Sequence, residues 1–237
     1  MAEQLPLPLP VRPALGRADF VVTQANAAAL GLLERARWPG GRLALTGPPA
    51  SGKTHLAHVW AKLRDAVVIP AADLARYDIA TLASAGRVAV EDAGDVAGRQ
   101  GAEAALFHLY NRLTSVQGQL LVTGRTAPTT WPIALPDLRT RLSSMTVARL
   151  DPPDDALLAA LLDKQLKDRG LSLTPPVFRY LVPRMTRSAA FAQALADEID
   201  RLSLARSRAV TRDIAKDALD RLGASSSCHD SEQEGPA

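Results

Sequence analysis

Residues 43–54 read LALTGPPASGKT, and a helical stretch, HLAHVWAKL, follows from His55. A short apolar run thus enters a glycine-bearing loop that opens a helix. In a loop of this kind successive backbone N–H groups point inward and cradle phosphate oxygens, and the positive end of the following helix adds to the attraction. Lys53 is placed to reach the terminal phosphates, and Thr54 offers a hydroxyl to a divalent cation. Gly47 and Gly52 allow backbone angles and a close approach that a Cβ would obstruct. The candidate phosphate-binding residues are therefore Gly47, Pro48, Pro49, Ala50, Ser51, Gly52, Lys53, Thr54 and His55. A mere glycine turn with a surface lysine would not need the strand before it and the helix after it.

Outward from the loop, four more apolar runs recur at strand-helix intervals: AVVIP from Ala66, RVAVED from Arg87, QLLVTG from Gln119 and MTVARL from Met145. Buried strands alternating with helical segments predict a five-stranded parallel sheet covered on both faces. A helix is expected from Asn26 to Arg37, broken by Pro39-Gly40-Gly41. A phosphate site of this type is completed by acidic residues at the end of another buried strand. Glu91 and Asp92 follow Val88-Ala89-Val90, so Glu91 would hold Mg²⁺ through water with Thr54, and Asp92 would orient or activate the attacking water.

After Leu150 the strand signals stop. DPPDDALLAALLDKQLKDRG has an Asp and prolines suited to a helix start, acidic residues in its first turn and a stop at Gly170. Amphipathic segments at residues 175–184, 188–205 and 211–222 extend this into a small helical domain. The expected organisation is an N-terminal arm (1–17), an α/β domain (18–150), a helical lid (151–223) and a disordered polar tail (224–237). The arm is rich in proline and cannot be helical. The chain has 237 residues, 47% apolar and 22% charged, enough for two packed cores. A net charge of +3 with 4% aromatics permits nucleic-acid contact but supplies no stacking platform for single strands. The single Cys228 has no partner for a disulfide or a cysteine metal cluster. No membrane span or secretory leader is legible, so the expected compartment is the cytoplasm.

Two further strings carry a family resemblance. Thr123-Gly124-Arg125 ends the QLLVTG run where AAA+ P-loop NTPases place a polar sensor near the γ-phosphate, with Thr123 the matching residue. LPDLRTRLSS then resembles the box of DnaA-type AAA+ proteins in which an arginine reaches into a neighbour's nucleotide. Arg141 is the matching position and Arg139 the local competitor. Arg187, in TRSAAFAQAL, falls near the family's second sensor arginine, although the usual spacing is not kept. The start of the chain, Gln4-Leu5-Pro6-Leu7-Pro8-Leu9, resembles the sliding-clamp-binding peptide of Hda-type relatives of DnaA. Gln4, Leu5, Leu7 and Leu9 would be its contacts, lying extended in an apolar groove.

The resemblance covers roughly residues 19–222 and implies an α/β AAA+ fold with a C-terminal helical lid, ADP or ATP with Mg²⁺ as cofactors, and DnaA and the DNA polymerase III sliding clamp (beta subunit) as partners. It implies a regulator of replication initiation that stimulates ATP hydrolysis by DnaA through Arg141, with weak hydrolysis of its own nucleotide. Glu91 stands where the family usually has Asp, which bears on metal geometry. No dedicated DNA-binding domain is expected, a membrane partner is not, and a homo-oligomer is compatible with the family. The competing reading is a DNA-stimulated AAA+ ATPase of the helicase-loader or DnaA-paralog type, using the same loop for its own turnover.

Overall fold

The computed structural model describes residues 21–206 and 210–229. The arm, including Gln4, Leu5, Leu7 and Leu9, lies outside the described residues, as does the tail beyond residue 229. Strands β1 (Arg42–Thr46), β2 (Val67–Pro70), β3 (Arg87–Glu91), β4 (Gln119–Gly124) and β5 (Thr146–Arg149) form one sheet in the order β2-β3-β4-β1-β5. Every pairing is parallel. The five apolar runs of the sequence are these five strands.

The middle residues of the central strands are apolar because both of their faces are covered. Leu43 and Leu45 of β1, with Ala89, Leu121 and Ala148, pack on one face beneath α1 (Gln24–Leu33) and α2 (Lys53–Arg64). Ala44, Val88, Val90, Leu120 and Val122 pack on the other, beneath α3 (Ile79–Ser84), α4 (Gln100–Ser115) and α5 (Pro136–Ser143). A third core belongs to the lid, made by α6 (Asp155–Lys167), α7 (Pro175–Leu181), α8 (Ala189–Arg206) and α9 (Arg212–His229). Asp154 caps α6 by accepting from Leu157 N–H at 2.7 Å. No helix among the described residues is long and apolar enough to cross a membrane.

Two boundaries differ from expectation. Helix α1 stops at Leu33 rather than Arg37, because the Trp38 indole folds back and donates to the Leu32 carbonyl at 2.9 Å, occupying an acceptor of the last turn. The final helix runs on to His229, past the tail expected from residue 224. Ala224 to His229 holds no proline or glycine, so nothing in the stretch ends a helix already under way.

At the N-terminal ends of the strands a buried cation closes the layer. Arg42, 2% exposed, donates to the carbonyls of Gly41 (3.0 Å), Gly118 (2.9 Å) and Tyr110 (3.1 Å) and to Thr114 Oγ1 (2.8 Å). Tyr110 and Thr114 lie toward the C-terminal end of α4, where the helix dipole favours positive charge. Burial lowers the pKa of Arg42, opposed by Tyr110, whose ring lies 4.7 Å from the guanidinium carbon. Close backbone contact completes this floor. A Cβ on Gly118 would lie 2.4 Å from the Gly86 carbonyl and 2.9 Å from Leu113 Cδ2. Gly118→Ala should therefore destabilise the protein by about 2 kcal/mol, as overpacking does. The check is the urea midpoint, which should fall with an unchanged m-value.

Candidate functional site

Parallel strands deliver their C-terminal ends to one edge of the sheet, where open α/β folds place ligands. Gly47, the residue after β1, sits at this edge between two neighbours. Its N–H donates to the Gly124 carbonyl at the end of β4 (3.2 Å), and Leu150 N–H donates to Thr46 on the other side (2.7 Å). A Cβ on Gly47 would lie 2.6 Å from the Leu150 carbonyl and 2.8 Å from Ser51 Oγ. Glycine is therefore required here by close approach. Farther along the loop, Ala50 and Gly52 take positive φ (57° and 94°), which turns the chain into α2.

Lys53 opens α2 and is 8% exposed. Its ammonium donates to two carbonyls of its own loop, Gly47 at 2.8 Å and Pro48 at 2.7 Å. Burial lowers its pKa; Asp92 opposes this and Arg125 adds to it. A buried cation held only by neutral acceptors attracts an anion strongly. The buried side-chain oxygens with no hydrogen bond among the described residues include Ser51 Oγ in the loop and Glu91 Oε1 at the end of β3. The first could bond a phosphate oxygen and the second a hydrated cation, so the residues present fit a Mg²⁺-bound phosphate group. Such a group would bring the bond to be hydrolysed. Lys53 and the loop amides would hold it, and Thr54, exposed at the start of α2, would offer its hydroxyl to the cation.

The structure joins the acidic strand end to the sensor position. Asp92 adopts the left-handed conformation (φ 48°), and its N–H donates to Thr123 Oγ1 at 2.9 Å. Thr123 is 1% exposed. It thus fixes the backbone at Asp92 rather than opening to solvent. Glu91 Oε2 lies 3.8 Å from Nε2 of His58, one turn beyond Thr54 on α2. Asp92, Asp95, Gly124, Arg125, Thr126 and Trp131 line a cleft of about 170 Å³.

The other candidates lie elsewhere. Arg141 is on α5 with its guanidinium carbon 5.4 Å from the ring centroids of both Phe107 and Tyr110 of α4. Arg139 is exposed on the same helix. Neither lines the cleft. Arg187 donates to the Pro153 carbonyl (3.0 Å) and to Asp155 Oδ1 (2.7 Å), which ties it to the start of the lid.

Two residues of consequence escaped the sequence reading. Trp131 covers Gly124 and Gly94: a Cβ on Gly124 would lie 2.5 Å from the ring, too close for a side chain, and one on Gly94 would make a tight contact at 3.3 Å. Glu103, on α4, is 2% exposed and accepts three backbone N–H bonds. Gly98 (2.9 Å) and Ala134 (3.0 Å) donate to Oε1, and Leu135 (2.8 Å) donates to Oε2. Burial alone would raise its pKa, but these bonds outweigh it and hold the carboxyl below its usual range. Its contribution to stability is thus complete above the ordinary glutamate range and lost as pH falls through the lowered value. The one signal in the sequence was an acidic residue among the alanines and leucines of an otherwise apolar helix face.

Sheet order, loop and lid define an α/β AAA+ fold. The helical domain matches the family described as Hda, lid domain, over residues 154–219. Domain III of the Thermotoga maritima replication initiation protein DnaA superposes with a TM-score of 0.72 at 19% identity, covering 90% of this chain and 98% of that one. AMPPCP-bound DnaA from Aquifex aeolicus gives 0.69 at 19% identity, over 81% of this chain and 66% of that one. The Thermotoga maritima RuvB Holliday junction branch migration motor gives 0.58 at 18%, over 77% and 62%. The helical domain thus matches the Hda lid family, on a chain that shares the fold of DnaA domain III.

Removing the ammonium leaves the loop without its buried charge. Lys53→Ala should weaken ADP binding by at least about 10²-fold, the scale of a lost charge-assisted contact of roughly 3 kcal/mol. It should also remove the rise in melting temperature expected of the wild-type protein with adenine nucleotide. Calorimetric titration with ADP checks the first expectation, and equal affinity in the two proteins would refute it.

Proposed function

We propose that this protein regulates replication initiation by stimulating ATP hydrolysis on DnaA while tethered to the DNA polymerase sliding clamp. The observation that carries the reading is the Hda-type lid at residues 154–219 on a chain whose fold matches DnaA. ADP or ATP with Mg²⁺ would occupy the loop of Gly47 to Thr54, with the metal held by Thr54 and, through water, by Glu91. AMPPCP bound to a DnaA of the same fold supports an adenine nucleotide. The bound nucleotide would serve mainly to hold the lid and sheet domains in the partner-competent arrangement, and intrinsic hydrolysis by Glu91 and Asp92 would be weak. The setting would be the cytoplasm.

Arg141 would act across the interface on the γ-phosphate of DnaA-bound ATP, supplying positive charge as the phosphoryl group transfers. Arginine fingers of this kind contribute about 10³ to 10⁵ in rate in GTPases. Gln4, Leu5, Leu7 and Leu9 would hold the clamp groove and keep the protein at replicated DNA, where ATP-bound DnaA is met.

The test measures phosphate release from ATP-bound DnaA in the presence of DNA-loaded clamp. Wild-type protein should stimulate release. Arg141→Ala should still bind ADP and clamp yet lose stimulation by about 10³-fold. Full stimulation by Arg141→Ala with loss in Arg139→Ala would transfer the role to Arg139, and full stimulation by both would end the trans-acting mechanism. DNA-stimulated turnover by the protein alone would favour the motor reading.

The arm makes a separate expectation. Replacing Gln4 and Leu5 together by Ala should abolish clamp binding and leave the melting temperature unchanged, as for a short terminal recognition peptide. Surface plasmon resonance on immobilised clamp reads the first quantity and calorimetry the second.

A further inference from the structure

We propose that Glu103 is a positioning residue for the interface arginine, its buried carboxylate joining the start of α5 to the segment that follows Glu91 and Asp92. The role rests on the reading that an arginine of α5 acts on a partner's nucleotide. The first N–H groups of a helix need acceptors. Here the N-cap is Leu135, whose side chain offers none, and Pro136 follows it. Glu103 supplies the acceptor from another helix, taking the N–H groups of Ala134 and Leu135, and places negative charge at the positive end of α5.

The same carboxylate also takes Gly98 N–H, at the end of the turn that begins at Asp92. One buried ion therefore holds both the segment that follows the acidic strand end, at Gly98, and the helix bearing Arg139 and Arg141. Residues at steps of three and four lie on one face of a helix. Phe107 and Tyr110 stand four and seven places after Glu103 on α4, and their rings flank the Arg141 guanidinium. The face of α4 that anchors the first turn of α5 also cradles the arginine of its last turn. Leu138 and Leu142, at 0% and 1% exposed, fix the remaining side in the core. A Ser or Asp at position 135 would have capped α5 locally. A buried carboxylate shared by two segments sets their relative position as well.

The experiment compares wild type, Glu103→Gln and Glu103→Asp in the full chain. Amide exchange at Ala134 and Leu135 is read without any partner, and stimulated hydrolysis is read with loaded clamp and ATP-bound DnaA. In Glu103→Gln the two amides should exchange faster while ADP and clamp affinity stay at the wild-type level. The maximal stimulated rate should fall about 10²-fold, as a misplacement near 1 Å does, with little change in the half-saturating concentration. The shorter Asp keeps the charge and should restore part of that rate. In an Arg141→Ala background Glu103→Gln should cost nothing more. Should the Gln variant fail to fold, Glu103→Asp carries the test alone, with rate loss and faster exchange appearing together. Unchanged exchange, or faster exchange with full stimulation, overturns the role. No stimulation by wild-type protein overturns the functional reading itself, and this role with it.

Discussion

The contact between Gly47 and Leu150 is the constraint on which the arrangement at the sheet edge depends. The space for a side chain at position 47 is taken by the Leu150 carbonyl and by Ser51 Oγ. Leu150 lies just beyond β5, before the lid begins. One glycine thus lets the phosphate loop, the end of β4 and the residue that leaves β5 meet at a single point. The hydrogen bonds Gly47 to Gly124 and Leu150 to Thr46 lock that meeting in register. A bulkier residue there would push the loop away from Leu150 as well as distort its backbone, so the requirement for glycine belongs to this junction of strand ends and not only to the phosphate.

The two ends of the sheet are closed by opposite buried charges that use the same helix. At the strand N-termini Arg42 is held by carbonyls near the end of α4, and toward the start of α4 Glu103 is held by backbone N–H groups. Among the described residues neither makes an ion pair; Glu103 is compensated by main-chain N–H groups, and Arg42 by main-chain carbonyls together with the Thr114 hydroxyl and the Tyr110 ring. Dipoles fixed in secondary structure cannot reorganise as a flexible counterion can, so losing either side chain leaves several oriented backbone groups without partners. Helix α4 is consequently held at both ends by interactions that specify position along its axis, while its leucines supply the non-directional part of the packing.

Much of this architecture was legible. The five strands announced themselves as short apolar runs at regular intervals because a parallel sheet buried on both faces admits little else, and LALTGPPASGKT located the loop at the end of one of them. The lid's helices followed from Asp154, the prolines and the spacing of leucines. What stayed hidden was long-range and directional. Glu103 and its acceptor role depend on N–H groups some thirty residues away. The link from Asp92 N–H to Thr123 Oγ1 depends on a left-handed backbone that Asp tolerates but does not signal. Trp131 carried no signal of its own, because its fit depends on Gly124, whose missing side chain makes room for the ring. Helix ends were the other weak point, since the Trp38 indole ends α1 from outside the helix.

The placement of Trp131 has an optical consequence. The chain contains three tryptophans. Trp38 and Trp60 lie together, ring centroids 5.2 Å apart, in the core between α1 and α2. Trp131 stands apart from them, lining the cleft beside Asp92 and Arg125 and donating to the Thr126 carbonyl at 3.1 Å. Ultraviolet emission from the native protein therefore arises from two unlike environments, a paired set sealed in the interior and a single indole at the strand ends. Changes in charge or hydration beside Asp92 perturb the second and leave the first untouched, so the protein carries its own fluorescent probe at the site, with an internal standard built from the same chromophore.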